Sequence, residues 1–166
     1  QYSGLDTSLQ AGEFTLNPGM TPVAIAQELQ DSTPETVKFN ILPGWRLEEI
    51  AAALDYTGLN ISAKAFISAA QKRPAQYSFS DSLPATASME GFLFPTTYEL
   101  PRQLNAPQLL AIFLEQFDNQ VTPVLRQAVE QQRLTLYQAV TLASIAQREA
   151  IITEELPAIT AVYVNR

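Results

Sequence analysis

Cysteine and histidine are both absent from this chain of 166 residues. Without them there is no thiol chemistry, no zinc site built on either ligand, and no Ser-His or Cys-His catalytic arrangement. Carboxylates, lysine, tyrosine and serine are what remain for chemistry, and no metal or cofactor is expected. The lack of cysteine fits any compartment, so it does not decide redox context. Positive charge is also scarce: ten Lys and Arg stand against seventeen Asp and Glu, a net charge of -7. No Lys/Arg stripe tracks a phosphate backbone, so a nucleic-acid partner is not expected. A neutral or sugar-like polymer suits this balance better. Charged residues make up 16% of the chain, below the roughly 25% of an average soluble protein. Gln, Ser, Thr and Asn must therefore carry much of the polar surface. There is no apolar run of about 18 residues and no signal-peptide pattern.

What is present is enough apolar sequence, 46% of the chain, for one medium domain or two small ones to fold without staples. The chain begins at Gln1-Tyr2 and stops at Asn165-Arg166 inside an expected helix, so it reads as an excised fragment. An internal echo appears early. Phe14-Thr-Leu16-Asn-Pro18-Gly19 is followed by Ile25-Ala26 and Leu29, and Phe39-Asn-Ile41-Leu-Pro43-Gly44-Trp45 by Ile50-Ala51 and Leu54. Each copy reads as a short strand, a Pro-Gly turn and an amphipathic helix. The helices are expected over 22–31, with Thr21 as cap, and over 46–55. A third is expected over 62–72, capped by Ser62 and stopped by Arg73-Pro74.

Residues 74–88 read as a loop. A buried strand is then expected from Met89 through Phe94, broken at Pro95 and resumed as Thr97-Tyr98-Glu99-Leu100. From Pro107 onward nearly every residue is a good helix former. Helices are expected over 107–132, interrupted near Pro123, then over 135–150 and 154–166. Strands and turns first and helices afterwards argue for an α+β chain with two sub-domains.

The stretch Thr141-Leu-Ala-Ser144-Ile-Ala-Gln-Arg-Glu149 places Leu142, Ile145, Ala146 and Glu149 on one side of a helix. A carboxylate on such a stripe is costly unless it is paired, protonated or open to a cleft, and those conditions also suit a general acid. On physics alone, a Glu in a last helical turn beside Arg148 is more often a surface or ion-paired residue. Glu90, next to Gly91, is a candidate cleft residue or a solvated loop-end carboxylate. Phe92, Phe94 and Tyr98 are either a sugar-stacking platform or, more often in such a pattern, core aromatics. Trp45 is either a lid over the core or a ligand contact. Lys38, Lys64 and Lys72, the three lysines, sit in no setting that supports a Schiff base.

Five segments, in order and across nearly the whole chain, resemble the endolytic murein transglycosylase (YceG-like) family. They are Gln10 to Thr21, Ile41 to Ala51, Glu90-Gly-Phe-Leu-Phe-Pro95-Thr-Thr-Tyr98, Leu142 to Glu149, and Ala161-Val-Tyr-Val-Asn165-Arg166. The resemblance implies LysM-like βααβ units ahead of a catalytic part. Residues 1–35 would then be the end of a first unit and a connecting helix, 36–101 a complete unit, and 102–166 the mostly helical part of a catalytic domain incomplete at its C-terminus. It implies a lytic transglycosylase that cuts peptidoglycan strands internally, with Glu149 as the catalytic acid. Glu90, Tyr98, Ser144, Asn165 and Arg166 are the substrate-binding candidates. Gln147 stands where the family has another Glu, which argues against a proton donor there. Thr96 stands where the family has Asp. The resemblance further implies action at the extracytoplasmic face of the membrane, a single-pass N-terminal anchor outside this chain, and cell-wall synthases as partners. Alternatives are a non-catalytic glycan-binding or scaffold module, and a pyridoxal-phosphate lyase of the aminodeoxychorismate type. The second is a label some YceG-like sequences carry, and the lysine survey weighs against it.

Overall fold

Alternation in Thr36-Val-Lys-Phe-Asn40 and in Thr97-Tyr-Glu-Leu-Pro101 sends every second side chain inward, the period-2 pattern of a half-buried strand. In a computed structural model, which describes residue 14 and residues 16–30 and 36–164, these become strands β1 (Thr36–Asn40) and β2 (Thr97–Pro101). They pair antiparallel, with Val37 opposite Leu100 and Phe39 opposite Tyr98. All four of those side chains are buried. On the outer face Lys38 and Glu99 form an exposed ion pair at 3.7 Å, a contact worth little in water.

Between the strands run helices α2 (Leu47–Leu54) and α3 (Ala63–Ala70), which follow α1 (Pro22–Glu28). Glu48 and Glu49 occupy the first turn of α2, where carboxylates complement the helix dipole. Leu47, Ile50, Ala51 and Leu54 form its buried stripe. Ser62 caps α3 by accepting from the Ala65 N–H, and Phe66, Ala69 and Ala70 face inward. A 3-10 helix over Ser78–Ser82 buries Phe79.

Helix α4 (Ala106–Gln120) closes the core. Asn105 and Gln108 make a reciprocal capping box at its start. Leu109, Leu110, Phe113, Leu114 and Phe117 turn inward at helical spacing. The Phe113 ring lies 4.6 Å from Tyr98, 5.9 Å from Phe66 and 6.0 Å from Phe39, joining sheet, α3 and α4. Phe117 meets Phe79 and Phe92 in a second aromatic group. One continuous core therefore runs from Val37 to Val121.

Helices α5 (Pro123–Gln131), α6 (Leu136–Glu149) and α7 (Leu156–Val164) follow. Thr122 and Thr135 cap the first two. Among the described residues from 123 onward, only Ala146 is buried. No described helix is long and apolar enough to cross a membrane.

Several expectations are corrected by these elements. Among the described residues, Phe14 and Leu16 lie in no strand. Met89 to Phe94 is not a strand but a turn with Gly91 at φ +83°. Its buried side chains are Met89, Phe92 and Leu93, so burial and not a ladder explains the apolar run. The 74–88 segment holds the 3-10 helix, and α1 ends at Glu28. The interruption expected near Pro123 is present, with Thr122 capping the new helix.

A candidate glycan cleft

Pro43 and Gly44 turn the chain directly after β1, with Gly44 at φ +83° and the Trp45 N–H donating to the Leu42 carbonyl at 3.2 Å. That turn holds Trp45 half-buried against the edge of the core. The Glu90-Gly91 turn rises beside it, and α6 lies across both. Three surfaces thus enclose a cleft of about 830 Å³: the 41–46 turn, the 87–95 segment and one face of α6.

The α6 face in the cleft carries Tyr137, Val140, Thr141, Ser144, Gln147 and Arg148. These fall at intervals of three and four, a single helical stripe. Gly91 lets α6 dock this closely. A Cβ at that position would lie 2.8 Å from Val140 Cγ1, and its positive φ already disfavours a side chain. At the far end of the stripe the Gln147 amide comes close to Gly44, 3.6 Å from where a Cβ would stand. Gln147 therefore reaches the Pro-Gly turn and joins it in lining the cleft.

The candidate residues separate on this frame. Glu90 and Ser144 line the cleft. Glu90 is exposed, and the Ser144 hydroxyl donates to the Thr141 carbonyl at 2.8 Å, leaving its lone pairs outward. Tyr98 belongs to the core. Its ring packs on Phe113, its hydroxyl donates to the Phe94 carbonyl at 2.6 Å, and burial pushes its pKa up to about 12. Phe92 is likewise a core ring and lines the inner wall. Asn165 and Arg166 lie outside the described residues.

Glu149 ends α6 and is exposed. One residue past Arg148, it is rotated by about 100° from the cleft face. It shares the other stripe with Leu142 and Ile145, both half-buried, and with Ala146. None of those three covers the Glu149 side chain. Leu136, Tyr137 and Val140, on another side of α6, pack against the core, while Ala146 on the Glu149 stripe is the buried residue of this helix. Periodicity finds both stripes of such a helix, but only the docking partner decides which is inward. Tyr137 and Thr141 are cleft residues that the sequence reading did not single out, and Gln147 is one it weighed only as a proton donor. Their i, i+4, i+10 spacing through Ser144 is the signal that marks them.

The sequence profile of the YceG-like family matches residues 1–166. The chain is 27% identical to an endolytic murein transglycosylase of Streptococcus pneumoniae serotype 2 (strain D39 / NCTC 7466) over 183 residues, covering 96% of this chain and 33% of that protein. It is 25% identical to an endolytic murein transglycosylase of Bacillus subtilis (strain 168) over 178 residues, covering all of this chain and 49% of that protein. The chain thus spans one third to one half of the length of these relatives. A crystal structure of a yceG-like protein from Listeria monocytogenes superposes with a TM-score of 0.62 at 21% identity, over 91% of this chain and 54% of that one. That likeness concerns the fold.

Proposed function

The chain belongs to the YceG-like family, and from that premise we propose that it is part of an endolytic peptidoglycan lytic transglycosylase. The observation that carries this reading is the cleft itself. The Pro43-Gly44-Trp45 turn and the Glu90-Gly91 turn, two segments that carry the family resemblance, meet α6, the helix that ends in Glu149, around one open groove. A neutral glycan strand fits a groove lined by Trp45, Ser144, Thr141 and Tyr137, since an aromatic face takes a sugar ring and hydroxyls take its polar edge.

In this reading Glu149 works alone, where most glycosidases use two carboxylates. Its protonated carboxyl gives a proton to the glycosidic oxygen between N-acetylmuramic acid and N-acetylglucosamine as the C1–O bond breaks. The resulting carboxylate takes the proton of the muramoyl C6 hydroxyl, whose oxygen closes on C1. The acid is regenerated, the product ends in 1,6-anhydro-N-acetylmuramic acid, and no water is consumed. Residues 36–101 act as a LysM-like unit and residues 102–166 as part of the catalytic domain. The protein acts at the extracytoplasmic face of the membrane beside cell-wall synthases, held by an anchor that precedes this chain.

Glu149→Gln in the full-length protein should lower anhydro-end formation on purified glycan strands by at least about a hundredfold, the scale of a lost general acid. Undiminished product by mass spectrometry overturns the assignment. The exposure of Glu149 favours a second reading, in which this chain binds peptidoglycan without cutting it. Sedimentation with insoluble peptidoglycan separates the two: binding by a wild-type protein that yields no anhydro ends supports the second.

A further inference from the structure

The cleft opens at one end into a second groove of about 860 Å³, lined by Pro43, Gly44, Arg46, Glu48, Glu49, Gln147 and Arg148. The two spaces share the Pro43-Gly44 turn, Arg46, Glu48, Gln147 and Arg148, so a ligand in one continues into the other. The charged Arg46, Glu48 and Arg148 gather at this shared end, whereas the rings and hydroxyls of Trp45, Tyr137, Thr141 and Ser144 line the first space alone. Two of the ten cationic residues of the chain face this groove. Neither guanidinium is ion-paired among the described residues, although Glu48 and Glu49 line the same space. Glu49 is occupied otherwise, accepting the Arg46 backbone N–H at 2.7 Å.

Resting on the reading of the cleft as a glycan site, we propose that this groove takes the peptide substituent of the strand, with Arg46 and Arg148 gripping a peptide carboxylate. The backbone of a peptidoglycan strand is built of neutral N-acetyl sugars, whereas the peptide on its lactyl ether carries carboxylates. Arginine is suited to that task, because its planar fork matches a carboxylate in two parallel hydrogen bonds. Two arginines with no ion pair among the described residues are placed to make them. The groove thereby selects peptide-bearing strands over bare ones.

Trp45, the single tryptophan, lines the cleft and reports its occupancy by fluorescence. The test titrates the chain with soluble uncrosslinked strands that bear peptides, and with the same strands stripped by an amidase, which retain the lactyl carboxylate. Wild-type protein is expected to bind peptide-bearing strands about tenfold more tightly, the factor a charge-assisted contact supplies. Arg46→Gln with Arg148→Gln should bring that ratio to about one, and Arg148→Lys with Arg46 intact should keep part of it. Equal wild-type binding of both strand types overturns the peptide groove and leaves the glycan cleft standing. A double variant that keeps the full ratio also overturns the groove. Failure of the wild-type chain to bind either strand overturns the cleft reading and this inference with it.

Discussion

Between Val37 and Val121 the chain stacks a two-stranded ladder, two helices and α4 around shared aromatic rings, and most of its large apolar side chains are covered, Leu42 and Tyr56 being the exposed ones. From Pro123 to Val164 the sequence is just as well patterned for helices, yet Val124, Leu125, Ile151, Ile152, Val162, Tyr163 and Val164 are exposed. The difference is one of partners. In the first region each element is covered by others that are themselves anchored. In the second, α6 leans one face on the core and packs with α5 and α7, and nothing described covers their other sides. A helix in water gains little from propensity alone, so the second region depends on the contacts that tie it to the first. Two ties stand out. Gly91 lets Val140 close in, and Arg126 of α5 reaches back to the Val121 carbonyl at 2.9 Å, Ser78 at 2.9 Å and Asp118 at 2.7 Å.

The contrast can be broken most severely at Phe113. Truncation to Ala removes the ring shared by β1, β2 and α3, and should cost about 3–5 kcal/mol. Chemical denaturation is expected to show both regions lost together. Persistent helical signal from residues 123–164 after the strands have melted would show instead that the second region stands alone. Gly91→Ala adds a Cβ in a left-handed conformation against Val140, at an expected cost of about 1–3 kcal/mol. Hydrogen exchange should accelerate in α6 and Trp45 emission should shift, while β1 and α4 stay protected. Uniform acceleration across both regions would deny that Gly91 acts at the junction.

Arg126→Ala cuts the second tie, and the loss of a half-buried guanidinium with charge-assisted bonds should cost about 1–2 kcal/mol. Here α5 amides are expected to exchange faster than those of α6. A change of stability below about 0.3 kcal/mol would make the latch decorative. The smallest effect concerns pH. Burial raises the Tyr98 pKa from its ordinary 10.0 to about 12. A neutral form favoured by folding contributes stability that is complete below pH 10 and lost as pH rises toward 12. Tyr98→Phe should flatten that part of the alkaline melting curve. An unchanged alkaline slope would place its origin elsewhere, with Tyr77, also raised by burial, as the next group to remove.

Much of the fold is legible in the sequence. The alternation at Thr97–Leu100, the Pro43-Gly44 turn, the caps at Thr21 and Ser62 and the break before Pro123 are local signals, each set by a backbone or side-chain preference within a few residues. Met89 to Phe94 reads as a strand yet is a buried turn, because a short apolar run is equally consistent with either. Of the candidate residues, Glu90 and Ser144 line the cleft, Tyr98 lies in the core and Glu149 is exposed beside it. The sequence shows that Tyr98 is aromatic on an alternating strand, but not that its inward face meets Phe113.

The sequence by itself determined the chemistry available: no thiol, no imidazole, few cations, and carboxylates as the acids in reach. It also determined the helices, whose caps and periods are written into neighbouring residues. Only the tertiary structure decided which stripe of α6 faces inward, that Gly91 and Gly44 bring two distant turns against that helix, and that Arg46 and Arg148 share one groove. The physical reason is distance along the chain. Periodicity and capping act over one or two turns, whereas the cleft is made by segments some fifty residues apart, and their meeting is fixed by packing.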